Sequence, residues 1–139
     1  MKIITAIISF LLLGLIGSAQ SGSWRIKLNK KVLLSTSTES ENKNVRFIKR
    51  SDWQKNGFLE INFKETEPEV WKRSFLFVDE ADNQLLSKDS VTHAKIKIST
   101  LRKIFAGKKE IRIYTIVAPL DPNLAIRIRR VHLCTLRLP

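Results

Sequence analysis

The stretch HAKIKISTLRKIFAGKKEIRIYTIVAP, His93 to Pro119, changes its period twice. In HAKIKIS the apolar Ile96 and Ile98 alternate with Lys95 and Lys97, the two-residue beat of a half-buried strand. From Ser99 onward Leu101, Ile104 and Phe105 fall at helical spacing, with Ser99 as a candidate cap and Gly107 as the stop. In EIRIYTIVAP the alternation returns. One short connecting helix near residues 100–106, set between two strands, is the expectation, and it makes this the exception in a β-rich chain.

The pattern upstream agrees. SGSWRIKLN alternates Trp24, Ile26 and Leu28 with Arg25 and Lys27; Asn29-Lys30-Lys31 reads as a turn and VLLST as the next strand. STESENKN is polar and periodless, a surface loop. VRFIK is a third strand, and SDWQKNG leads to a turn at Asn56-Gly57. FLEINFK points Leu59, Ile61 and Phe63 inward and Glu60, Asn62 and Lys64 outward. WKRSFLFVDEADNQLLSKDS reads as a hairpin turning at Asp82-Asn83. Its SFLFV is apolar on both sides, so either the helix or a partner must cover it. About eight or nine short strands predict a single antiparallel β-sandwich, immunoglobulin-like or similar, with a closed barrel as the alternative. The helix followed by the strand carrying Tyr114 is similar to an immunoglobulin-like corner, although no Cys-Trp-Cys pattern accompanies it.

The terminal LAIRIRRVHLCTLRLP, Leu124 to Pro139, alternates aliphatics with arginines and then stumbles. Unbroken alternation would bury Arg130, at a cost of several kcal/mol if unpaired. One extra residue at Arg129-Arg130 turns Val131 and Leu133 inward; a second slip near Cys134-Thr135 restores Leu136 and Leu138. β-Bulges supply such slips and bend the strand.

The opening MKIITAIISFLLLGLIGSAQ has a charged start, an apolar run and small residues before Ala19, the order of a cleaved secretory signal peptide. The expected division is a signal peptide over 1–19 and a β-sandwich domain over 20–139. The run is shorter than the ~20 apolar residues of a bilayer span, so no transmembrane span is expected after cleavage. Localisation is then periplasmic or extracellular. With Cys134 the sole cysteine, no internal disulfide can form, and a buried inert thiol is the expectation.

The formal net charge is +12, unevenly spread. Residues 20–58 carry nine Lys/Arg against three Asp/Glu, residues 59–90 four against eight, and residues 91–139 eleven against two. A positive face of this kind attracts anionic partners. Lys95, Lys97, Arg112, Arg127, Arg129 and Arg130 all lie opposite the apolar residues of their strands or at a bulge. If their strands share a sheet, they form one outer patch, with the arginines offering two-pronged contacts to phosphate, sulfate or carboxylate. A merely solvated sheet face fits the same residues.

Other chemistries find little support. His93, His132 and Cys134 make a blue-copper-like set on paper, but Met1 is the only methionine and the customary loop is missing; no metal or other cofactor is expected. Asp79, Glu80 and Asp82 lack calcium-loop spacing and suit a hairpin turn. Glu65, Glu67 and Glu69 surround Pro68 as solvated acids, and no nucleophile or phosphate-loop motif occurs. Among the tryptophans, Trp24 and Trp71 read as core and Trp53 as the exposed candidate for stacking on a sugar. The expectation is a non-enzymatic binding module for an anionic polysaccharide or other envelope polymer, without sequence-specific nucleic-acid recognition. The alternative is a structural subunit docking on a protein partner through SFLFV or an open sheet edge.

Overall fold

Alternating side chains set the strands. The structure, a computed structural model, describes residues 22–66, 71–123 and 128–139. The segment read as a signal peptide, Glu67, Glu69 and Arg127 lie outside the described residues. The elements run β1 (Gly22–Leu28), β2 (Lys31–Thr36), β3 (Val45–Phe47), α1 (Arg50–Gln54), β4 (Phe58–Glu65), β5 (Trp71–Val78), β6 (Gln84–Lys88), β7 (His93–Lys97), α2 (Ile98–Ile104), β8 (Glu110–Pro119) and β9 (Val131–Arg137).

These strands form two sheets, one ordered β2-β1-β4-β7 and one ordered β3-β9-β8-β5-β6. All pairs are antiparallel except β3 with β9, which is parallel and corrects the expectation of a wholly antiparallel fold. The reason is the connection. The polar loop after β2 carries the chain from the edge of one sheet to the edge of the other, so no hairpin dictates the direction of β3.

A single hydrophobic cluster draws on both sheets. Ile26 and Ile61 from the four-stranded sheet meet Phe75, Phe77, Ile113 and Leu133 from the five-stranded one, and all six are fully buried. Each such side chain contributes about 1.5–3 kcal/mol by leaving water. Trp24 Nε1, on β1, donates a 3.1 Å hydrogen bond to the carbonyl of Leu133 on β9, so even the polar atom of this core tryptophan is satisfied across the sheets.

A second link between the sheets is ionic. Arg73 of β5, only 5% exposed, holds Glu65 of β4 with two hydrogen bonds of 2.5 and 2.9 Å. It also donates to Thr115 Oγ1 at 3.0 Å and lies 3.6 Å from the centre of the Phe63 ring. A buried guanidinium is tolerated because each of its three nitrogens donates a hydrogen bond, two of them to a carboxylate, and its face is stacked.

Helix α2 joins β7 of one sheet to β8 of the other. Ile98, Leu101 and Phe105 are buried, and the Phe105 ring centre lies 6.0 Å from that of Phe77. The helix begins before Ser99: the cap position is Lys97 and makes no side-chain bond. Gly107 follows with φ +77°, a left-handed conformation that suits glycine at a helix end. SFLFV proves to be central in its sheet, with Phe75 and Phe77 in the core and Val78 buried on the other side.

A second helix, α1, corrects the expectation of one. RSDWQ turns helically where the sequence suggested only a turn, and tertiary bonds hold it there. Asn29 Nδ2 donates to the carbonyl of Asp52 at 3.2 Å, and Arg102 Nη1 to that of Trp53 at 2.7 Å. A Cβ at Gly57 would sit 1.6 Å from Asn29 Oδ1, so a larger residue there would displace the Asn29 side chain that holds α1.

The hairpin turn after β5 is built on Asp79. Its Oδ1 accepts from the amides of Ala81 and Asn83 at 3.0 and 2.9 Å, and its Oδ2 accepts from Lys108 Nζ at 2.9 Å. Those bonds, led by that of Lys108, hold the carboxyl well below the usual carboxylate range. The acidic cluster is a turn organiser.

Candidate functional site: the outward cationic face

Of the six cations expected to form one patch, the five among the described residues are divided. Lys95 and Lys97 stand on β7 in the four-stranded sheet, whereas Arg112 stands on β8 in the other. Helix α2 lies between the two strands and carries the chain from sheet to sheet, so β7 and β8 are neighbours in sequence only. Arg129 and Arg130 precede β9 and follow the five-stranded sheet.

Carboxylates occupy the cations on that side. Arg129 Nη2 lies 2.9 Å from Glu39, and Arg130 Nη1 2.8 Å from Asp82. Glu110 stands 3.7 Å from Arg112 and 3.9 Å from Arg137. Arg130 also covers the Tyr114 ring at 4.1 Å. Next to these lies a cavity of about 340 Å³, lined among others by Arg112, Tyr114, His132 and Thr135.

His132 is almost fully buried there, 1% exposed, sharing a 2.8 Å hydrogen bond through Nε2 with Thr135 Oγ1. The two residues are three apart yet share a face, because a bulge opposite Ile113–Tyr114 leaves Leu133 as an extra residue. This is the second slip of the terminal strand, one position earlier than the sequence suggested. Nδ1 of His132 is buried without a partner among the described residues. Burial pushes the imidazole pKa down, with Arg112 adding to the fall and Glu41 and Glu39 opposing it.

The four-stranded sheet presents a different surface. Its register places Ser35, Arg25, Asn62 and His93 in one row across β2, β1, β4 and β7. The next row is Val32, Lys27, Glu60 and Lys95. Lys64 faces Ser23 at one end, and Lys97 faces Phe58 at the other. Five cations, Arg25, Lys27, Lys64, Lys95 and Lys97, therefore share a face whose rows contain one carboxylate, Glu60. That carboxylate lies 3.8 Å from Lys95, whose ammonium is also 4.4 Å from the Phe58 ring centre. Among the described residues Arg25, Lys27 and Lys97 have no ion-pair partner.

Opposite residues on paired strands hold their Cβ atoms about 5 Å apart, and charges so arranged reinforce one another's field. A depression of about 300 Å³ opens on this face, lined by Ser23, Arg25, Lys27, Ser35, Asn62 and Lys64. Arg25, Lys27 and Lys64 were legible as outward residues of their own strands. That their strands adjoin β7 was not, since pairing between distant segments leaves no local pattern.

The other candidate chemistries separate in space. His93 is exposed on the cationic face, its Nδ1 in contact with Asn62 Oδ1. His132 lies on the outward side of the other sheet and Cys134 in the core. Among the described residues no group of three His, Cys, Asp or Glu side chains is placed to hold a metal ion. Burial pushes the Cys134 thiol up to about 12, an inert state. Glu65 is engaged with Arg73. Trp53, expected to be exposed, is half-buried and packs against the core.

No family model matches the chain, and no curated protein or solved structure matches it. Among the described residues no helix is long and apolar enough to cross a membrane.

Proposed function

We propose that this chain is an exported, non-enzymatic β-sandwich module that contacts an anionic envelope or extracellular polymer through a basic sheet face. The observation that supports the reading is the excess of cations on the outward face of the four-stranded sheet, five against a single carboxylate. The contact face thus moves from the arginines of the terminal segment to β1, β4 and β7, keeping Lys95 and Lys97 from the original six. An extended polyanion suits such a surface because each cation lies within roughly 8 Å of another, comparable with the screening length of about 8 Å at physiological salt.

The test is retention on an immobilised polyanion in a salt gradient. Arg25→Glu, Lys27→Glu and Lys97→Glu combined should weaken binding on the order of a hundredfold, by turning attraction into repulsion at three points. Elution at the salt concentration of the parent protein would refute the proposal. Docking on a protein through an open sheet edge is the second reading, favoured by Phe47, which is 77% exposed on the edge strand β3. It predicts a partner interaction with little dependence on salt.

A further inference from the structure

The depression beside Arg25 differs from the rest of the basic face in its neutral polar groups. Arg25 sits between Ser35 on β2 and Asn62 on β4, with Ser23 and Lys27 two residues away on its own strand. Alternate residues on one strand are about 7 Å apart and paired strands about 5 Å, so each of these groups stands within roughly 7 Å of Arg25, with Ser23 and Lys27 roughly 14 Å from each other. Trp24 and Phe63, the strand neighbours of Arg25 and Asn62, also border the depression, but their rings stack on the core side of the sheet with centres 5.9 Å apart.

A purely charged partner would leave much of this arrangement unused. The sulfates and internal phosphates of a polyanion only accept hydrogen bonds at neutral pH, whereas the Ser23 and Ser35 hydroxyls offer acceptors as well as donors, and Asn62, whose Oδ1 meets His93, offers its amide N–H groups. A ligand with hydroxyl groups satisfies both. The guanidinium of Arg25 has the planar fork that grips a carboxylate at two points, and Lys27 adds a point charge beside it.

We infer that this depression seats one sugar-acid unit of the polymer, with the carboxylate on Arg25 and Lys27 and the ring hydroxyls on Ser23, Ser35 and Asn62. The inference rests on the basic-face reading above and narrows its partner to an acidic polysaccharide of the uronate kind.

Calorimetric titration of the protein with an oligogalacturonate, a polyphosphate of matched charge and a neutral oligosaccharide separates the possibilities. The oligogalacturonate should bind about tenfold or more tightly than the polyphosphate, with the neutral sugar far weaker than either. The double variant Ser35→Ala, Asn62→Ala should lose roughly tenfold in affinity for the uronate, the worth of two hydrogen bonds, and keep its affinity for polyphosphate. Both positions face outward, so an unchanged melting temperature confirms that the fold is intact. Equal affinity for the two polyanions, or an unchanged preference in the double variant, overturns the sugar-acid seat and leaves the basic face standing. Failure of both polyanions to bind overturns the two proposals together.

Discussion

The outward faces of the two sheets carry many cations each, yet they treat them in opposite ways. On the five-stranded sheet the arginines are drawn down onto carboxylates and an aromatic ring: Arg129 to Glu39, Arg130 to Asp82 and Tyr114, and Arg112 and Arg137 on either side of Glu110. Beneath them Tyr114 and His132 are buried, their rings 5.5 Å apart. On the four-stranded sheet the cations stand in rows with Glu60 as the one carboxylate among them. The first arrangement is a lid that closes over its sheet; the second leaves its field pointed at solvent. Net charge alone cannot distinguish them, because pairing is a matter of position.

The comparison breaks most visibly in stability. Tyr114→Ala removes a buried ring together with the platform under Arg130, and should cost about 3 kcal/mol in chemical denaturation. Lys95→Ala on the open face should stay within about 0.5 kcal/mol of the parent. Similar losses for the two would mean that both faces serve the fold alike.

Binding sharpens the contrast from the other side. Replacing Arg112, Arg129 and Arg130 together with Gln should change retention on a polyanion by less than about threefold, since their charges are already compensated locally. A loss matching that of the Arg25, Lys27 and Lys97 reversals would return the contact surface to the five-stranded sheet.

Mild acid should act chiefly on the closed face. The folded-state pKa of His132 lies below its ordinary value of 6.5, so the unfolded chain takes up the proton first. The stability of the neutral, buried ring is complete above pH 6.5 and declines as pH falls below it, until the folded pKa is passed. Denaturation midpoints measured between pH 8 and pH 5 should show this decline, and His132→Gln should flatten it. An unchanged slope in the variant would assign the effect elsewhere. Asp79 adds a separate loss only at lower pH, beginning below its ordinary 3.8, because its carboxyl is likewise depressed by the fold.

The smallest effect concerns Cys134. With its pKa at about 12 and no solvent exposure, the thiol should not react with a disulfide reagent at pH 8 unless the chain unfolds. Rapid labelling of the native protein would show that the core opens at β9.

Much of this was legible from residue order, and the rest fails for identifiable reasons. The alternation in FLEINFK and EIRIYTIVAP marked β4 and β8 because burial of one face imposes a two-residue period on any strand. The stumble in the terminal strand signalled a bulge, but its position depends on which residue of β8 opposes it, and it falls at Leu133. Helix α1 left no periodic trace. Five residues with none fully buried are held by bonds from Asn29 and Arg102, both remote in sequence. Trp53 looked exposed because its sequence neighbours are polar, while the surface covering it comes from other segments. The candidate site was half visible: Lys95 and Lys97 belong to the open face, but Arg25, Lys27 and Lys64 join them only through strand pairing.

By itself, the order of residues determined which segments become strands and which side of each strand meets water, because those properties arise within a few neighbouring residues. Sheet membership, the parallel run of β3 beside β9, and the partners of each arginine were decided by the tertiary structure. They depend on contacts between residues up to 109 positions apart, as with Trp24 and Leu133, whose free energy exists only once the two sheets have met.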